Sequence, residues 1–471
     1  MKEMVFNVLN YGALADGITL DSPAVQKAVD ACSLNGGGIV FFPKGIYVLA
    51  TVFLKSNVHI QFEDGTDILG CLDFYTYAQQ EEVSFPIYQD QSHTYFDLAM
   101  FVGKNCHNIS ITGKARIDMR SVWDEDGVRG ESIRHRGPKC ISLKECNNVL
   151  ITDVDLNYVT DLAIYFAGCN EVDIHDVKMR VYIDGISPDN CKNVKIYNCD
   201  IESGDDGIVF KSSYTLNRLD ECRNIKVWDC KVKSRCSAIK FGTETIGGFY
   251  DIEIDNIDIY ETRITGIAIE SVDGAIIDGL SLKNIRMKNT NGLLFIYLGA
   301  RMRAPEGREV GEIRNITLEN ITAEGPYEPY MCIPLSYFEY KANDYLQYPW
   351  VYLNRKNKDE GLKETGRNTP WQLSSNICGL RDKPLKNITL RNVHFKVAGG
   401  VTEYEKEVPD VAPEYPEIMV YGWTLPAKGI YFRHVDGLLL DNVTVESYMP
   451  DAREDFVFED VIFSKNIYET K

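Results

Sequence analysis

The stretch DGISPDNCKNVKIYNCDIESGDDGIVFK, residues 184–211, carries one tripeptide twice, Asp184-Gly185-Ile186 and Asp206-Gly207-Ile208, 22 residues apart (206 − 184 = 22). A period of that size marks a solenoid, in which each repeat forms one coil and stacks on the coil before it. Stacking predicts that Asp184 lies one strand spacing, roughly 4.8 Å, from Asp206, with Asp205 as immediate neighbour. Three carboxylates gathered on one patch repel one another and raise at least one pKa, which costs stability unless the patch serves something. Acid/base work on a glycosidic bond fits, because it needs one protonated and one ionised carboxyl group. A lone Asp-Gly more often marks a turn at a coil corner. An Asp-Asp-Gly stacked on an Asp-Gly reverses that balance.

Outward from this stretch the repeat is legible between Asn105 and Asn320 as CHNISITG, CNNVLITDV, CNEVDIHDV, CKNVKIYNC, CRNIKVWDC, YDIEIDNI and RNITLENI. It resumes as KNITLRNV at 386–393 and GLLLDNVTV at 437–445. Short β-branched runs ended by Asn, Asp and Gly predict strands and turns, so the chain is expected to be all-β and, although 471 residues long, a single elongated domain over 1–471. Near the start, Ser22 is expected to cap a short helix with Pro23 at its first position. Val25, Ala28, Val29 and Cys32 have helical spacing. This helix would plug the open end of the solenoid, ahead of strands Ile39–Phe42 and Ile46–Leu49. Residues 325–380, rich in Tyr and Pro with Trp350 and Trp371, interrupt the pattern. They read equally well as a packed side insertion or as an aromatic wall that stacks on sugar rings. A second Pro-rich loop, VPDVAPEYPEIMVYGWTLPAKGIYFRHVDG (408–437), lies between the repeats at 386–393 and 437–445 and contains Arg433 and His434.

Of thirteen cysteines, Cys106, Cys146, Cys169, Cys191 and Cys222 recur at equivalent repeat positions. That recurrence predicts small side chains stacked inside successive coils, and the odd count fits free thiols. No Cys/His spacing reads as a zinc site, and neither metal nor cofactor is expected. A net charge of −19 argues against nucleic acid as a partner and means that an acidic substrate must be held by cations close to the site. No apolar run approaches the length of a membrane span. The first folded motif follows the N-terminus too closely for a signal peptide, so a cytoplasmic location is expected. Oligomeric state is not set by these features.

Three coils align further: GDDGIVFKS (204–212) with RCSAIKFGT (235–243) and with ITGIAIESV (264–272). In these columns Asp206 falls under Ser237, Val209 under Lys240 and Ala268, and Lys211 under Gly242 and Glu270. If Ile208, Phe210, Ile239, Phe241, Ile267 and Ile269 point inward, alternation turns Lys240, Lys211 and Glu270 onto the acid-bearing face. Lysines there would offset the repulsion between the acids and bind a carboxylate on a substrate.

The N-terminal segment, with Tyr11-Gly12-Ala13, Asp16-Gly17, Gly36-Gly37-Gly38, Pro43, Gly45 and Leu54-Lys55-Ser56-Asn57, resembles that shared by right-handed parallel β-helix proteins that act on carbohydrates. The mid-chain DG…GDDGI…K pattern resembles glycoside hydrolase family 28, the polygalacturonase-like enzymes. The resemblance implies a right-handed parallel β-helix and hydrolysis of pectic linkages with inversion. It implies Asp205 as general acid, with Asp184 and Asp206 activating the attacking water. Two motifs depart from the family. Its Gly-His-Gly falls on Cys236, Ser237 and Ala238, and its Arg-Ile-Lys on Ala268, Ile269 and Glu270. Lys240, Ser237, Lys211, Glu270, Arg301, Arg433 and His434 are the candidate substrate-binding residues that remain. The expected function is an inverting, exo-acting hydrolase of pectin-derived oligosaccharides that releases terminal galacturonate or a related sugar. The alternatives are the same mechanism on a neutral terminal glycoside, such as a rhamnoside or pentoside, and a carbohydrate-binding β-helix without catalysis.

Overall fold

The computed structural model describes residues 4–122, 136–325, 372–422 and 424–464. It divides into two compact units, residues 1–203 with 213–225, and residues 204–212 with 226–471. In the first unit short strands stack in parallel register along three lines. One line runs Thr66–Gly70, Ala115–Asp118, Val154–Asn157, Lys178–Val181, Asp200–Ser203. Another runs Ala99–Lys104, Lys139–Lys144, Ile164–Ala167, Ile186–Asp189. The third runs Val58–Phe62, His107–Thr112, Asn147–Thr152, Asn170–His175, Lys192–Tyr197. Ile164 pairs with Ile186 and Val149 with Val172, so one coil is 22 or 23 residues (186 − 164 = 22; 172 − 149 = 23). A parallel pair needs a long return connection, and the other strands of the same coil supply it.

Side-chain alternation explains why these segments are strands. Val149, Ile151, Val172, Ile174, Val194 and Ile196 are buried, while Asp173 and Lys195 between them reach outward. The corners are made by asparagine in the left-handed region. Asn108, Asn148 and Asn193 have φ of 54°, 55° and 55°, a conformation Asn adopts more cheaply than other non-glycine residues.

The second unit uses the same devices with longer strands. Gly248–Tyr260, Ile276–Lys288, Glu312–Glu324 and Leu385–Val397 pair in parallel, and the last pairs with Ala427–Ser447. Each of the first four bends at an asparagine with positive φ: Asn256, Asn284, Asn320 and Asn392. Their amides form a ladder in which Asn320 donates to Asn284 (3.0 Å), Asn392 to Asn320 (3.0 Å) and Asn442 to Asn392 (2.9 Å). The other line runs Ile208–Ser212, Ser237–Thr245, Thr265–Ser271, Gly292–Leu298, Ser375–Cys378 and on to Ala427–Ser447.

The capping helix is Ser22–Leu34, with Val25, Ala28, Val29 and Cys32 buried as their spacing predicts. Its N-cap is Asp21, not Ser22. Ser22 is the first helical residue, and its Oγ accepts instead from Ala50 N (2.7 Å), while Asp21 accepts from Leu14 N (2.7 Å) and ties down the preceding loop. Tertiary contacts have claimed both side chains that local rules would assign to capping. The recurrent cysteines are buried, and every cysteine among the described residues is a free thiol. Cys146 N donates to Cys169 Sγ (3.3 Å) and Cys191 N to Cys222 Sγ (3.5 Å), one coil apart. Most of the aromatic insertion at 325–380, with Trp350 and Trp371, lies outside the described residues. Among those described, no helix is long and apolar enough to cross a membrane.

Candidate active site

Gly204-Asp205-Asp206-Gly207 leads into strand Ile208–Ser212 of the second unit. Gly207 does not have positive φ, so a turn conformation is not its reason for being glycine. A Cβ there would meet Val232 Cγ1 at 2.4 Å and Ala238 O at 2.6 Å. The next coil presses against the backbone at this point, and Gly207 N donates to Ser237 O (2.8 Å). That close approach brings Ser237 N to Asp206 Oδ1 (3.2 Å). It also brings one carboxylate oxygen each of Asp205 and Asp206, with Cys236 Sγ, within 4.8 Å of one another. Burial, and then the nearby acids, hold the Cys236 thiol well above its usual range.

Strand register follows the alignment of the three coils. Val209 pairs with Lys240 and Lys240 with Ala268, while Ile208, Phe210, Ile239, Phe241, Ile267 and Ile269 are fully buried. Phe210 stacks on Phe241 with ring centroids 4.5 Å apart. With those side chains inward, Lys240 projects the other way, and its Nζ lies 3.6 Å from Asp206 Oδ2, 3.3 Å from Glu417 Oε1 and 4.0 Å from Glu270 Oε1. All four side chains are buried. Burial alone would lower the Lys240 pKa, but Asp206, Glu417 and Glu270 together hold it well above its usual range. Burial pushes Glu270 well up against the opposing pull of Lys240. Burial likewise pushes Glu417 up to about 7, with Lys240 opposing and Asp206 reinforcing. One ammonium is thus shared by three buried acids, and burial raises both glutamates above the usual carboxylate range. Neither oxygen of Glu270 has a hydrogen-bond partner among the described residues.

The other candidate cations of this unit are also engaged. Lys211 Nζ bonds Glu244 Oε2 (2.7 Å) and Gly242 O (3.1 Å). Arg301 is held by Asp273 through Nε (3.0 Å) and through Nη2, which also donates to Thr243 O (2.7 Å). Its Nη1 is buried without a partner among the described residues, and the guanidinium lies over the Tyr415 ring. Ser237 is fully buried, and its contribution to Asp206 is the backbone N–H. Arg433 and His434 are not brought to this cluster. Arg433 shares the column of Glu270 through Tyr297 and Cys378, three strand spacings away, or roughly 14 Å. It binds Glu459 and the carbonyls of Val408 and Pro409, and His434 pairs with Asp460.

In the first unit Asp184 lies between strands Lys178–Val181 and Ile186–Asp189, 4% exposed, with its carbonyl accepting from Ala163 N (2.9 Å). Like Gly207, Gly185 does not have positive φ. Facing the Asp184 carboxylate is His93, whose Nε2 is 3.8 Å from Asp184 Oδ2 and whose Nδ1 is 2.7 Å from Asp90 Oδ1. Arg136 approaches Asp90 and Asp161 at 3.7 Å each.

Sequence reasoning missed His93 and Glu417. Each comes from a loop between repeats, and a loop's reach carries no periodic signal. What was visible is that Glu417 sits in a Pro-rich loop.

A family model for glycosyl hydrolases family 28 matches residues 55–326, more than half of the chain. The chain belongs to that family. It is 22% identical over 338 residues to an exo-poly-α-D-galacturonosidase of Dickeya chrysanthemi, a match covering 60% of this chain and 55% of that protein. The match therefore spans about half the length of that relative. Among solved structures, a family 28 exopolygalacturonase of Yersinia enterocolitica aligns with a TM-score of 0.67 at 16% identity, covering 98% of this chain and 78% of the other. A hyperthermoactive exopolygalacturonase of Thermotoga maritima aligns at 0.62 with 17% identity, over 94% and 92%. These likenesses show the fold, a right-handed parallel β-helix.

Proposed function

We propose that this family 28 member is an inverting, exo-acting glycoside hydrolase of pectin-derived oligosaccharides, releasing terminal galacturonate or a related sugar. The observation that carries the reading is the Asp205–Asp206 pair, with carboxylate oxygens within 4.8 Å of one another and Asp206 beside Lys240 and the Ser237 N–H. The family resemblance gives the proton-donor role to Asp205, and the Lys240 ammonium and Ser237 N–H beside Asp206 fit a carboxylate that takes a proton from water. Asp205 would then protonate the leaving oxygen, while Asp206 and Asp184 take the proton of the attacking water. Asp184 enters through the 22-residue repetition of Asp-Gly-Ile. Inversion requires that the water attack from the face opposite the leaving group and is usually served by carboxyl groups roughly 6.5–9.5 Å apart. The Asp205 and Asp206 oxygens, within 4.8 Å, are closer than that, so inversion is proposed on the family resemblance and not on this spacing. The Arg301 Nη1, without a partner among the described residues, supports a carboxylate on the substrate.

A second reading keeps the mechanism and makes the terminal sugar neutral. It is favoured by the engagement of Lys240 and Lys211 with glutamates of the protein, and by Glu270 in the column beside Ala268.

The test is an end-product assay on reduced-end pectic oligosaccharides and neutral glycosides, comparing wild type with Asp205→Asn and following the anomer first released by proton NMR. Monosaccharide of inverted configuration from uronate-terminated substrates, lost by several orders of magnitude in the variant, supports the first reading. Release only from neutral glycosides supports the second. Sugar binding without release, unchanged by Asp205→Asn, would leave a carbohydrate-binding protein and overturn both.

A further inference from the structure

His93 is 3% exposed, and its ring is held on two sides. Asp90 Oδ1 accepts from both the backbone N (3.0 Å) and Nδ1 (2.7 Å) of His93. The Tyr165 ring meets the imidazole edge to face at 5.2 Å, and Tyr165 Oη donates to His93 O (2.8 Å). With Nδ1–H committed to Asp90, the free nitrogen is Nε2, which is buried and without a hydrogen-bond partner among the described residues. A ring nitrogen in that condition costs free energy unless something uses it. It points at the Asp184 carboxylate across 3.8 Å, within reach of charge attraction but too long for a hydrogen bond. Catalytic hydrogen bonds are often long before substrate binds and tighten with it.

We propose that His93 is the positioning residue of Asp184: its Nε2–H closes on Oδ2 and fixes the direction of the carboxylate, while Asp90 fixes the ring through Nδ1. This rests on the reading of Asp184 as one of the acids that activate water. Within the first unit, the charged groups around the ring include Asp90 from its own loop, Asp184 from the coil, and Arg136, which approaches Asp90 and donates to Ser92 Oγ (2.7 Å). Both nitrogens carry a proton in this role, Nδ1–H donating to Asp90 and Nε2–H to Asp184, so the ring acts as an imidazolium held between two carboxylates. No proton is transferred from His93 in this role. It holds a direction, and misplacing a reacting group by about 1 Å costs on the order of 100-fold in rate.

The experiment has two arms on the full chain. In the first, ring ¹⁵N resonances are recorded with ¹⁵N-histidine labelling, those of His93 being assigned by their loss in His93→Gln. Asp184→Asn is expected to move the Nε2 resonance, and Asp90→Asn the Nδ1 resonance. An Nε2 resonance indifferent to Asp184→Asn overturns the proposal, whatever the enzyme does. In the second arm, His93→Ala is expected to lower kcat about 100-fold with little change in KM, and His93→Gln, which keeps an N–H donor, to recover part of the loss. In the Asp184→Asn background, His93→Ala should add little, because the two act as one unit. Wild-type kcat in His93→Ala, or losses that multiply in the double variant, overturn the proposal. Full activity in Asp184→Asn would instead sink the role given to Asp184, and the spectroscopic arm would still judge the contact.

Discussion

Lys240 Nζ donates to Glu417 Oε1 at 3.3 Å across 177 residues of chain. The bond joins a strand of the repeat to a Pro-rich loop, and Asp206 lies on the other side of the same ammonium. The charge that balances a proposed catalytic acid is therefore also the charge that anchors the loop.

Replacing Lys240 by Met keeps the bulk of the stem but leaves Asp206, Glu270 and Glu417 buried without their shared cation. Breaking a buried ion pair from one side costs about 3–5 kcal/mol, and a comparable loss is expected here at pH 7. The check is the thermal midpoint of Lys240→Met beside that of the wild type. Equal midpoints would show that the cluster is not held by its charge.

The raised Glu417 carboxyl, at about 7 against an ordinary 4.5, makes part of the stability depend on pH with a definite sign. Between those two values the folded protein keeps a proton that the unfolded chain has lost. The contribution is therefore complete below the lower value and declines as pH rises through the upper one. Wild type minus Glu417→Gln is the quantity to plot: the stability difference should shrink steadily from pH 5 to 7.5. A flat difference would remove Glu417 as the source, and Glu270, displaced in the same direction by burial, would be the next variant.

Asn284 tests the corners. It has φ of 55°, donates to Asp255 Oδ1 (2.7 Å) and accepts from Asn320 (3.0 Å). Asn284→Ala is expected to lose roughly 1–2 kcal/mol from the left-handed backbone alone, and more from the broken ladder. Asn284→Gly keeps the backbone free and should lose less. Chemical denaturation of both variants orders the two effects, and a glycine variant as damaged as the alanine one would assign the corner's stability to the ladder rather than to φ.

The coils were legible because a solenoid writes its geometry into the sequence. The 22-residue period read from the sequence is the length of the coils within the first unit, and the columns drawn through Val209, Lys240 and Ala268 are the observed register. Alternation also told which side of the strand Lys240 occupies. It could not tell what Lys240 would meet there, because Glu417 arrives on a loop whose path no repeat constrains. The same holds for His93 opposite Asp184. Ser22 failed as a cap for a related reason: its hydroxyl was taken by Ala50, a partner 28 residues away. Local rules rank what a side chain prefers, and tertiary neighbours decide which preference is met.

Ser234 carries the last prediction, at the backbone of the proposed general acid. Its hydroxyl donates to Asp205 O (2.6 Å) and accepts from Cys236 N (2.8 Å), tying the Asp-Asp-Gly segment to the coil that stacks on it. The side chain is fully buried, so removing the hydroxyl takes a partner from two backbone groups with no water at hand. Ser234→Ala is expected to cost about 1–3 kcal/mol and, because Asp205 shifts with its carbonyl, to lower kcat on the order of 10–100-fold. Ser234→Thr keeps the hydroxyl and should restore much of the rate even where the added methyl strains the packing. The decisive pair of numbers is kcat for the two variants at a temperature where both remain folded. If the alanine variant turns over like the wild type, the Ser234 bridge stabilises the coil without setting the position of Asp205.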